Sequence, residues 1–220
     1  MNTKADIEIV TGFISAGKTS FINALIKNSY LNIEKLLIIQ YEQGNQSILD
    51  IIKKDENIHL EVIQGGSPLD SLYLKNIILK YKPHRVIVEY NGTKNLSDLL
   101  DILYTKELKK ISKVTSIFFI ADCTTYEMFF NNMPSLIMPN ITHSNLVIFN
   151  NSDKIPEKKL SSITKQIRTL NKDTFFLNIS DISNLDISLE ETGFLDKGLF
   201  KVLRILSKNL ISKFNFSVRR

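Results

Sequence analysis

The stretch that most constrains this chain is Gly12–Thr19, which reads Gly-Phe-Ile-Ser-Ala-Gly-Lys-Thr. It fits the pattern G-x-x-x-x-G-K-[ST] at every fixed position and lies between an apolar run, Ile7–Val10, and a helical pattern, Lys18–Lys27. Glycines allow successive backbone N–H groups to face an anion, and the N-terminus of the following helix adds partial positive charge. The stretch therefore predicts a phosphate-binding loop whose ligand is a nucleoside triphosphate or diphosphate.

The residue types within this loop suit the chemistry of a bound nucleotide. The Lys18 ammonium can reach the β- and γ-phosphates, and the Thr19 hydroxyl can ligate Mg²⁺. The candidate nucleotide-binding residues of the loop are Gly12, Ser15, Ala16, Gly17, Lys18, Thr19 and Ser20.

The rest of the chain alternates between strand-like and helix-like segments. The predicted strands are Ile7–Val10, Lys35–Ile39, Ile58–Ile63, Arg85–Glu89, Thr115–Ala121, Leu146–Phe149 and Thr174–Leu177. The predicted helices are Lys18–Lys27, Ser47–Lys53, Leu69–Lys80, Leu96–Leu103, Thr125–Phe130 and Pro156–Leu170. Most of the strands are continuous apolar runs, as expected of parallel strands that are covered on both faces. This pattern predicts an α/β fold of the P-loop NTPase type, with a predominantly parallel sheet and helices on both faces.

Length and composition limit the organisation of the chain. Its 220 residues predict one domain over residues 1–220. Near-helical spacing of apolar residues over about 197–214 predicts a final helix packed on that domain. No apolar run reaches the roughly 18 residues that a membrane-spanning helix needs, so we expect no membrane insertion. The N-terminus lacks a secretory pattern, and the single cysteine fits a reducing compartment, so we expect a cytoplasmic protein.

The net charge is +5, but the lysines are scattered along the chain and few aromatic residues lie among them. We therefore do not expect nucleic acid as a partner.

A second motif bears on the choice of base. Asn150-Asn151-Ser152-Asp153 follows the apolar run Leu146–Phe149 and resembles the N-K-x-D guanine motif of GTPases. A carboxylate at Asp153 can accept two hydrogen bonds from the guanine N1 and N2 groups, whereas adenine lacks that pair of donors. Asn150 would tie the loop to neighbouring segments, and Asn178 lies where GTPases place a second loop that contacts the base.

This motif departs from its pattern at Asn151, where GTPases have a lysine whose stem lies over the base. We expect the replacement to weaken nucleotide binding without changing which base is recognised. Asn, Ser and Asp are also common in turns, so a simple turn at the end of a strand is the alternative interpretation.

The third element, Glu89-Tyr90-Asn91-Gly92, follows an apolar strand. An acid at the end of a buried strand with a glycine three residues later suits a Walker B site. In this interpretation Glu89 approaches Mg²⁺ through water, and the Gly92 N–H can touch the γ-phosphate.

The E-x-x-G pattern with this flanking resembles the CobW/HypB/UreG family of metal-related P-loop GTPases. Three further stretches, in the family's order along the chain, resemble its motifs: Gly12–Ile26, Tyr41-Glu42-Gln43-Gly44, and Phe118–Cys123 with Asp122. The resemblance implies a GTP-binding protein with slow Mg²⁺-dependent hydrolysis that assists delivery of a metal or cofactor to a client protein. Asp122 would lie near the Mg²⁺ site or cap the end of its strand.

Carried over to this chain, the family's functional residues give one candidate set. Thr19, Glu42 and Glu89 would surround Mg²⁺, and Glu89 and Gly92 would sense the γ-phosphate. Lys18, Glu42 and Glu89 are the candidate catalytic residues, and Glu42 or Gln43 is a candidate for orienting the attacking water. Proteins of this class often complete the site with a dimer or a client, so a homodimer and an unidentified client protein are the expected partners.

The known metal motif of CobW-like proteins is missing from the sequence. These proteins carry C-x-C-C after the third strand, where this chain has Gln64-Gly65-Gly66-Ser67-Pro68. A thiolate site needs several soft ligands at close spacing, and Cys123 is the only cysteine. The three histidines, His59, His84 and His143, are far apart in sequence, so we expect surface or packed positions for them. At this length we also expect no room for the additional C-terminal domain common in CobW proteins.

Three other functions stay open at this point. The chain could be a nucleotide-binding interaction module without hydrolysis, or a P-loop protein that uses ATP. It could also be a metal chaperone that uses oxygen and nitrogen ligands in place of thiolates.

Overall fold

The structure, a computed structural model, describes residues 4–41, 48, 55–63, 69–182 and 185. The predicted C-terminal helix and, except for Ile48, the predicted helix Ser47–Lys53 lie outside the described residues. So do Glu42, Gln43 and the segment 64–68.

In the part of the chain that the structure describes, seven parallel strands form one sheet in the order β3-β2-β4-β1-β5-β6-β7. The strands are β1 (Ala5–Thr11), β2 (Leu36–Gln40), β3 (Ile58–Val62), β4 (Arg85–Glu89), β5 (Ser112–Asp122), β6 (Leu146–Asn150) and β7 (Phe175–Asn178). All seven correspond to predicted strands, and the six pairings between them are parallel. The parallel α/β fold is therefore confirmed. The main difference is β5, which begins three residues early because its polar start, Ser112 and Lys113, still pairs with β1.

Seven α-helices lie within the described residues. They are α1 (Lys18–Ser29), α2 (Ser71–Tyr81), α3 (Leu96–Leu103), α4 (Lys106–Ile111), α5 (Tyr126–Asn132), α6 (Pro134–His143) and α7 (Glu157–Leu170). Helix α2 begins two residues later than predicted because the Asp70 side chain accepts a hydrogen bond from the Tyr73 N–H and caps it.

Two of these helices were not predicted. Helix α4 is a short, lysine-rich segment without an apolar stripe. Helix α6 has Pro134 at its start and Pro139 inside it, and two prolines within six residues indicate a loop when the sequence is considered alone. Packing supplies what the pattern lacks, because Ile137 and Ile141 of α6 are fully buried against β5 and β6.

The apolar strands are covered on both faces. One face of β1, β2 and β4 packs against α2 and α3, and the other packs against α1. On β5 and β6, the face that continues the α2 and α3 side of the sheet packs against α5, α6 and α7. Among the described residues, no helix is both long enough and apolar enough to cross a membrane.

The strand order places the carboxyl end of β1 at a special position. Strand β1 pairs with β4 on one side and with β5 on the other. The connection that follows β1 leads to β2, whereas the connection that follows its neighbour β5 leads to β6 in the opposite direction. In open α/β sheets such a switch point opens a crevice at the carboxyl ends of the strands, where ligands bind. The glycine loop Gly12–Thr19 begins at this crevice.

The opposite edge of the sheet carries a buried ionic cluster. The Arg85 guanidinium lies 3.2 Å from a Glu8 carboxylate oxygen and 3.7 Å from a Glu34 carboxylate oxygen. It also donates a hydrogen bond of 3.0 Å to the Ser29 hydroxyl at the end of α1. This cluster joins the middle of β1 to the start of β4 and to the segment before β2.

Candidate functional site

The glycine loop has the backbone that its sequence predicts. Gly12 and Gly17 have φ angles of +148° and +106°, and Ser15 between them has φ +61°. A side chain at position 12 would collide with the carbonyl oxygen of Ile120 on β5. Glycine is therefore required at Gly12 both for its φ angle and for the close approach of β5.

The Lys18 ammonium lies inside this loop. It donates hydrogen bonds to the carbonyl oxygens of Gly12 at 2.8 Å and Phe13 at 2.9 Å, and the residue is 5% exposed. The loop therefore holds the Lys18 ammonium in place. A phosphate oxygen could replace the two carbonyl oxygens as the acceptor of its hydrogen bonds.

The acid at the end of β4 reaches the start of α1. The Thr19 hydroxyl donates a hydrogen bond of 2.6 Å to one carboxylate oxygen of Glu89, although the two residues are 70 positions apart in sequence. The other carboxylate oxygen accepts a hydrogen bond of 2.7 Å from the Gln40 side-chain amide at the end of β2. All three residues are buried. Sequence reasoning identified Thr19 and Glu89 but missed Gln40, which carries no motif of its own.

The glycine that follows Glu89 packs directly on the glycine loop. A side chain at Gly92 would overlap the carbonyl oxygen of Gly12 and come within 2.8 Å of the Phe13 nitrogen. The Tyr90 N–H donates to the Val10 carbonyl at 2.8 Å and fixes this approach. The two segments that were predicted to meet at the γ-phosphate therefore lie backbone against backbone. A role for the Gly92 N–H at the phosphate stays a prediction.

The candidate base loop also reaches the glycine loop. The Asn150 side-chain amide donates a hydrogen bond of 3.2 Å to the Ala16 carbonyl oxygen. This contact joins the end of β6 to the phosphate loop across 134 residues of sequence.

Asn151, the next residue, is bonded to the end of β5. It has φ +57°, and its side-chain amide donates a hydrogen bond of 2.7 Å to the Asp122 carboxylate. The other Asp122 oxygen accepts bonds from the N–H and hydroxyl of Thr124, at 2.8 and 2.6 Å. Of the two roles considered for Asp122, these contacts correspond to the cap at the end of a strand.

Asp153 lies in a short 3₁₀ turn, Ser152–Lys154, and is exposed. The N–H and hydroxyl of Ser152 both donate to the Ile179 carbonyl at 3.0 Å, which joins this turn to the segment after β7. Asn178, the last residue of β7, is likewise exposed beside the turn. The structure therefore brings the two candidate base-contacting segments together, and their contacts with a base stay predictions.

Two contacts around the phosphate loop have no sequence signal. The rings of Phe13 and Phe129 stack with their centroids 3.8 Å apart, and join the loop to α5. The Thr11 hydroxyl donates a hydrogen bond of 2.9 Å to the side-chain oxygen of the fully buried Asn140 in α6. Asn140 lies in the proline-containing segment that was not predicted as a helix, so its role as a support for the loop could not be inferred.

The oxygen atoms of Thr19 and Glu89 suit Mg²⁺, which prefers hard oxygen ligands and usually keeps several waters. The described residues contain no group of three or more His, Cys, Asp and Glu side chains that could hold a metal ion. Cys123 is buried, and burial with the nearby Asp122 charge raises its thiol pKa to about 12. The His84 ring accepts a hydrogen bond of 2.8 Å from the Lys35 N–H, as expected of a packed histidine.

The chain is similar to known nucleotide-binding proteins over most of its length. Residues 6–178 match the family model described as the CobW/HypB/UreG nucleotide-binding domain. The zinc-regulated GTPase metalloprotein activator 1 of Schizosaccharomyces pombe is 23% identical over 198 residues, which cover 81% of this chain and 48% of that protein. The chain therefore spans about half the length of the curated relative that it matches.

Solved structures share the fold. The Zn(II)-bound YjiA GTPase of E. coli superposes with a TM-score of 0.61 at 15% identity, covering 82% of this chain and 58% of that one. The hydrogenase maturation factor HypB of Archaeoglobus fulgidus superposes with a TM-score of 0.60 at 14% identity, covering 88% and 89%. At these identities the likeness confirms the P-loop NTPase fold.

Proposed function

The chain belongs to the CobW/HypB/UreG nucleotide-binding domain family, and from this premise we propose that it binds GTP and hydrolyses it slowly to regulate a client protein. One observation carries the proposal: segments far apart in sequence converge on the glycine loop. Glu89 bonds Thr19, Gly92 packs on Gly12, and Asn150 bonds Ala16. A phosphate loop, an acid near its hydroxyl and a base-reading loop are the three parts that a guanine-nucleotide site needs.

Each part has a defined task in this proposal. The Lys18 ammonium leaves the Gly12 and Phe13 carbonyls and binds oxygens of the β- and γ-phosphates. The Thr19 hydroxyl and the Glu89 carboxylate would hold Mg²⁺ between them, directly or through water. When bound, this ion neutralises charge on the phosphate oxygens. Backbone N–H groups of the loop and the start of α1 stabilise the charge that develops in the transition state.

Water attacks the γ-phosphate in line. Glu42 and Gln43, the sequence candidates for orienting that water, lie outside the described residues.

Guanine selection is assigned to Asp153. Its exposed carboxylate lies on the turn that Asn150 and Ser152 join to the phosphate loop and to the segment after β7. A carboxylate accepts two hydrogen bonds from the guanine N1 and N2 groups, and adenine would leave it unpaired. Asn178, beside this turn, is proposed to contact the other side of the base.

The client is proposed to be a protein that receives a metal or a cofactor. The support is the family and the name of the S. pombe relative, a zinc-regulated GTPase metalloprotein activator. The single cysteine, Cys123, cannot by itself form a C-x-C-C site. We therefore propose a nucleotide-dependent regulator in the cytoplasm, with the transferred metal or cofactor bound by the client or by a third protein.

A second candidate function has its own support. Asn151 replaces the lysine of the guanine motif and is bonded to Asp122, so the site lacks one contact with the base. In this alternative the protein binds GTP without turning it over, and the nucleotide sets the shape that a partner recognises.

The proposed activity is tested by phosphate release from GTP and from ATP, with Mg²⁺ or with EDTA. The variant Lys18→Ala is compared with Lys165→Ala, which removes a lysine from the exposed side of α7. We expect slow, Mg²⁺-dependent turnover of GTP by the wild type and by Lys165→Ala, and none by Lys18→Ala. Tight GTP binding without turnover would favour the second candidate. Equal turnover of ATP, or no binding of any nucleotide, would contradict the proposal.

A further inference from the structure

We infer that Gln40 is a positioning residue for the Mg²⁺–nucleotide complex and acts through Glu89; this inference rests on the proposed function. Gln40 is the last residue of β2 and Glu89 is the last residue of β4, and the two are direct partners in the parallel register. Their side chains meet at the carboxyl edge of the sheet, where the Gln40 amide donates a hydrogen bond of 2.7 Å to the Glu89 carboxylate.

The two oxygens of Glu89 are bound by different donors. One oxygen accepts from the Thr19 hydroxyl at 2.6 Å, and the other accepts from the Gln40 amide. Both bonds are short, as is usual for hydrogen bonds to an ionised carboxylate. Rotation of the carboxylate would break both bonds together. The Gln40 bond therefore fixes the plane of the Glu89 carboxylate, so that one oxygen stays directed at Thr19.

The placement of an amide at this position needs an explanation. Gln40 ends a run of four fully buried aliphatic residues, Leu36–Ile39, and is itself only 8% exposed. An aliphatic side chain would satisfy this burial without a hydrogen bond, whereas a buried amide is costly unless it is paired. The partner of this amide is the acid that the proposed function places beside Mg²⁺. Groups that orient metal-binding side chains typically change metal affinity by 10- to 100-fold when they are removed.

The test measures the GTP dissociation constant of each variant in excess Mg²⁺ and in EDTA. Gln40→Met keeps the length of the side chain and removes the donor. Gln166→Met makes the same substitution on α7, away from the site, and is the matched control. For Gln40→Met we expect the affinity gain produced by Mg²⁺ to fall about 10-fold, with the dissociation constant in EDTA within about twofold of the wild-type value. Gln166→Met is expected to leave both constants unchanged.

A second experiment asks whether Gln40 acts only through Glu89. Gln40→Met is added to Glu89→Gln, and the Mg²⁺-dependent affinity gain is measured again. The inference expects no further loss in the double variant, because the carboxylate that Gln40 orients is already gone. A second loss of similar size would overturn it, since Gln40 would then act by another route.

The results also distinguish a positioning role of Gln40 from a role in folding alone, and from a failure of the proposed GTP binding. If Gln40→Met lowers the melting temperature and weakens binding equally with and without Mg²⁺, or if it binds like the wild type in both, the inference fails and the proposed function stands. If the wild type binds no GTP, the proposed function itself fails. The melting temperature of each variant is recorded alongside, because a loss of folding would lower both affinities together.

Discussion

Asn151 is the residue at which this chain departs most clearly from the guanine motif. Its side chain is bonded to Asp122 at 2.7 Å, and its backbone has φ +57°, a conformation that asparagine tolerates better than most residues. The sequence showed the departure but could not show this bond, because Asp122 lies 29 positions earlier. At the position where GTPases have a lysine that covers the base, Asn151 therefore links the end of β6 to the end of β5 through its bond to Asp122.

Replacing this residue with the lysine of the motif is expected to strengthen nucleotide binding. Asn151→Lys should bind GTP and GDP about fivefold more tightly than Asn151→Ala, because the apolar stem of lysine covers part of the base. Asn151→Ala is the matched reference, since both variants lose the bond to Asp122. Calorimetric titration with both nucleotides checks the prediction. Equal affinities of the two variants would show that position 151 does not contact the base.

The residues of the phosphate loop were predictable because their spacing is itself the signal. Gly12, Lys18 and Thr19 are positions of a motif, and the backbone of the loop has the conformation that the motif requires. Gln40 and Asn140 could not be found in this way. Each is a single amide in an ordinary segment, and each gains its role only when the fold places it beside Glu89 or Thr11.

At the scale of the elements, the strands were predicted better than the helices. A parallel strand buried on both faces is apolar throughout, so β2, β4 and β6 are visible as runs of Leu, Val, Ile and Phe. Helix α6 was missed because Pro134 and Pro139 conceal it, and α4 because it is short and charged. Tertiary packing decides the structure of both segments, and the sequence pattern does not contain that information.

The two edges of the sheet are expected to separate stability from function. Arg85 is buried among Glu8, Glu34 and Ser29 at the amino edge, and the nucleotide site lies at the carboxyl edge. Arg85→Met should lower the free energy of unfolding by about 3–5 kcal/mol, because the buried carboxylate of Glu34 and the partly buried carboxylate of Glu8 lose their guanidinium. The GTP affinity of the folded variant should stay within about twofold of the wild-type value. The ionic cluster and the nucleotide site share no residues, and distant sites without shared partners usually act independently.

Urea denaturation and calorimetry check the two parts of this prediction. Arg168→Met, on the exposed side of α7, is the matched control and should change stability much less. An Arg85→Met protein that is as stable as the wild type would show that the ionic cluster contributes nothing net. A large loss of GTP affinity in the folded variant would show that the two edges are coupled.

At the scale of the whole molecule, the single cysteine reports on opening of the fold. Cys123 is fully buried at the end of β5, and burial together with the Asp122 charge raises its thiol pKa to about 12. The thiol of an unfolded chain has a pKa of about 8.5. The stability linked to this shift is therefore fully present below that pH and is lost as the pH rises toward the folded value.

Alkylation of Cys123 should consequently require opening of the protein. At pH 8 we expect the native protein to react with iodoacetamide many times more slowly than the urea-unfolded chain. Saturating GTP should slow the reaction further, since a ligand that binds only the folded state stabilises it. Mass spectrometry of the alkylated protein over time gives both rates. Native and unfolded chains that react equally fast would contradict the buried placement of this thiol.

If Asp153 recognises guanine, changing its hydrogen-bonding groups should change the base specificity of the protein. Xanthine keeps the N1–H of guanine but has a carbonyl oxygen in place of the N2 amino group. In Asp153→Asn the side-chain oxygen can accept from N1–H while the amide donates to that carbonyl. The measurement is calorimetric titration of wild type and Asp153→Asn with GTP, XTP and ATP in Mg²⁺. We expect that the wild type prefers GTP, that Asp153→Asn prefers XTP, and that neither protein binds ATP well. Retention of GTP binding by Asp153→Asn without any gain for XTP would show that residues 150–153 form only a turn, and the assignment of a guanine site would be wrong.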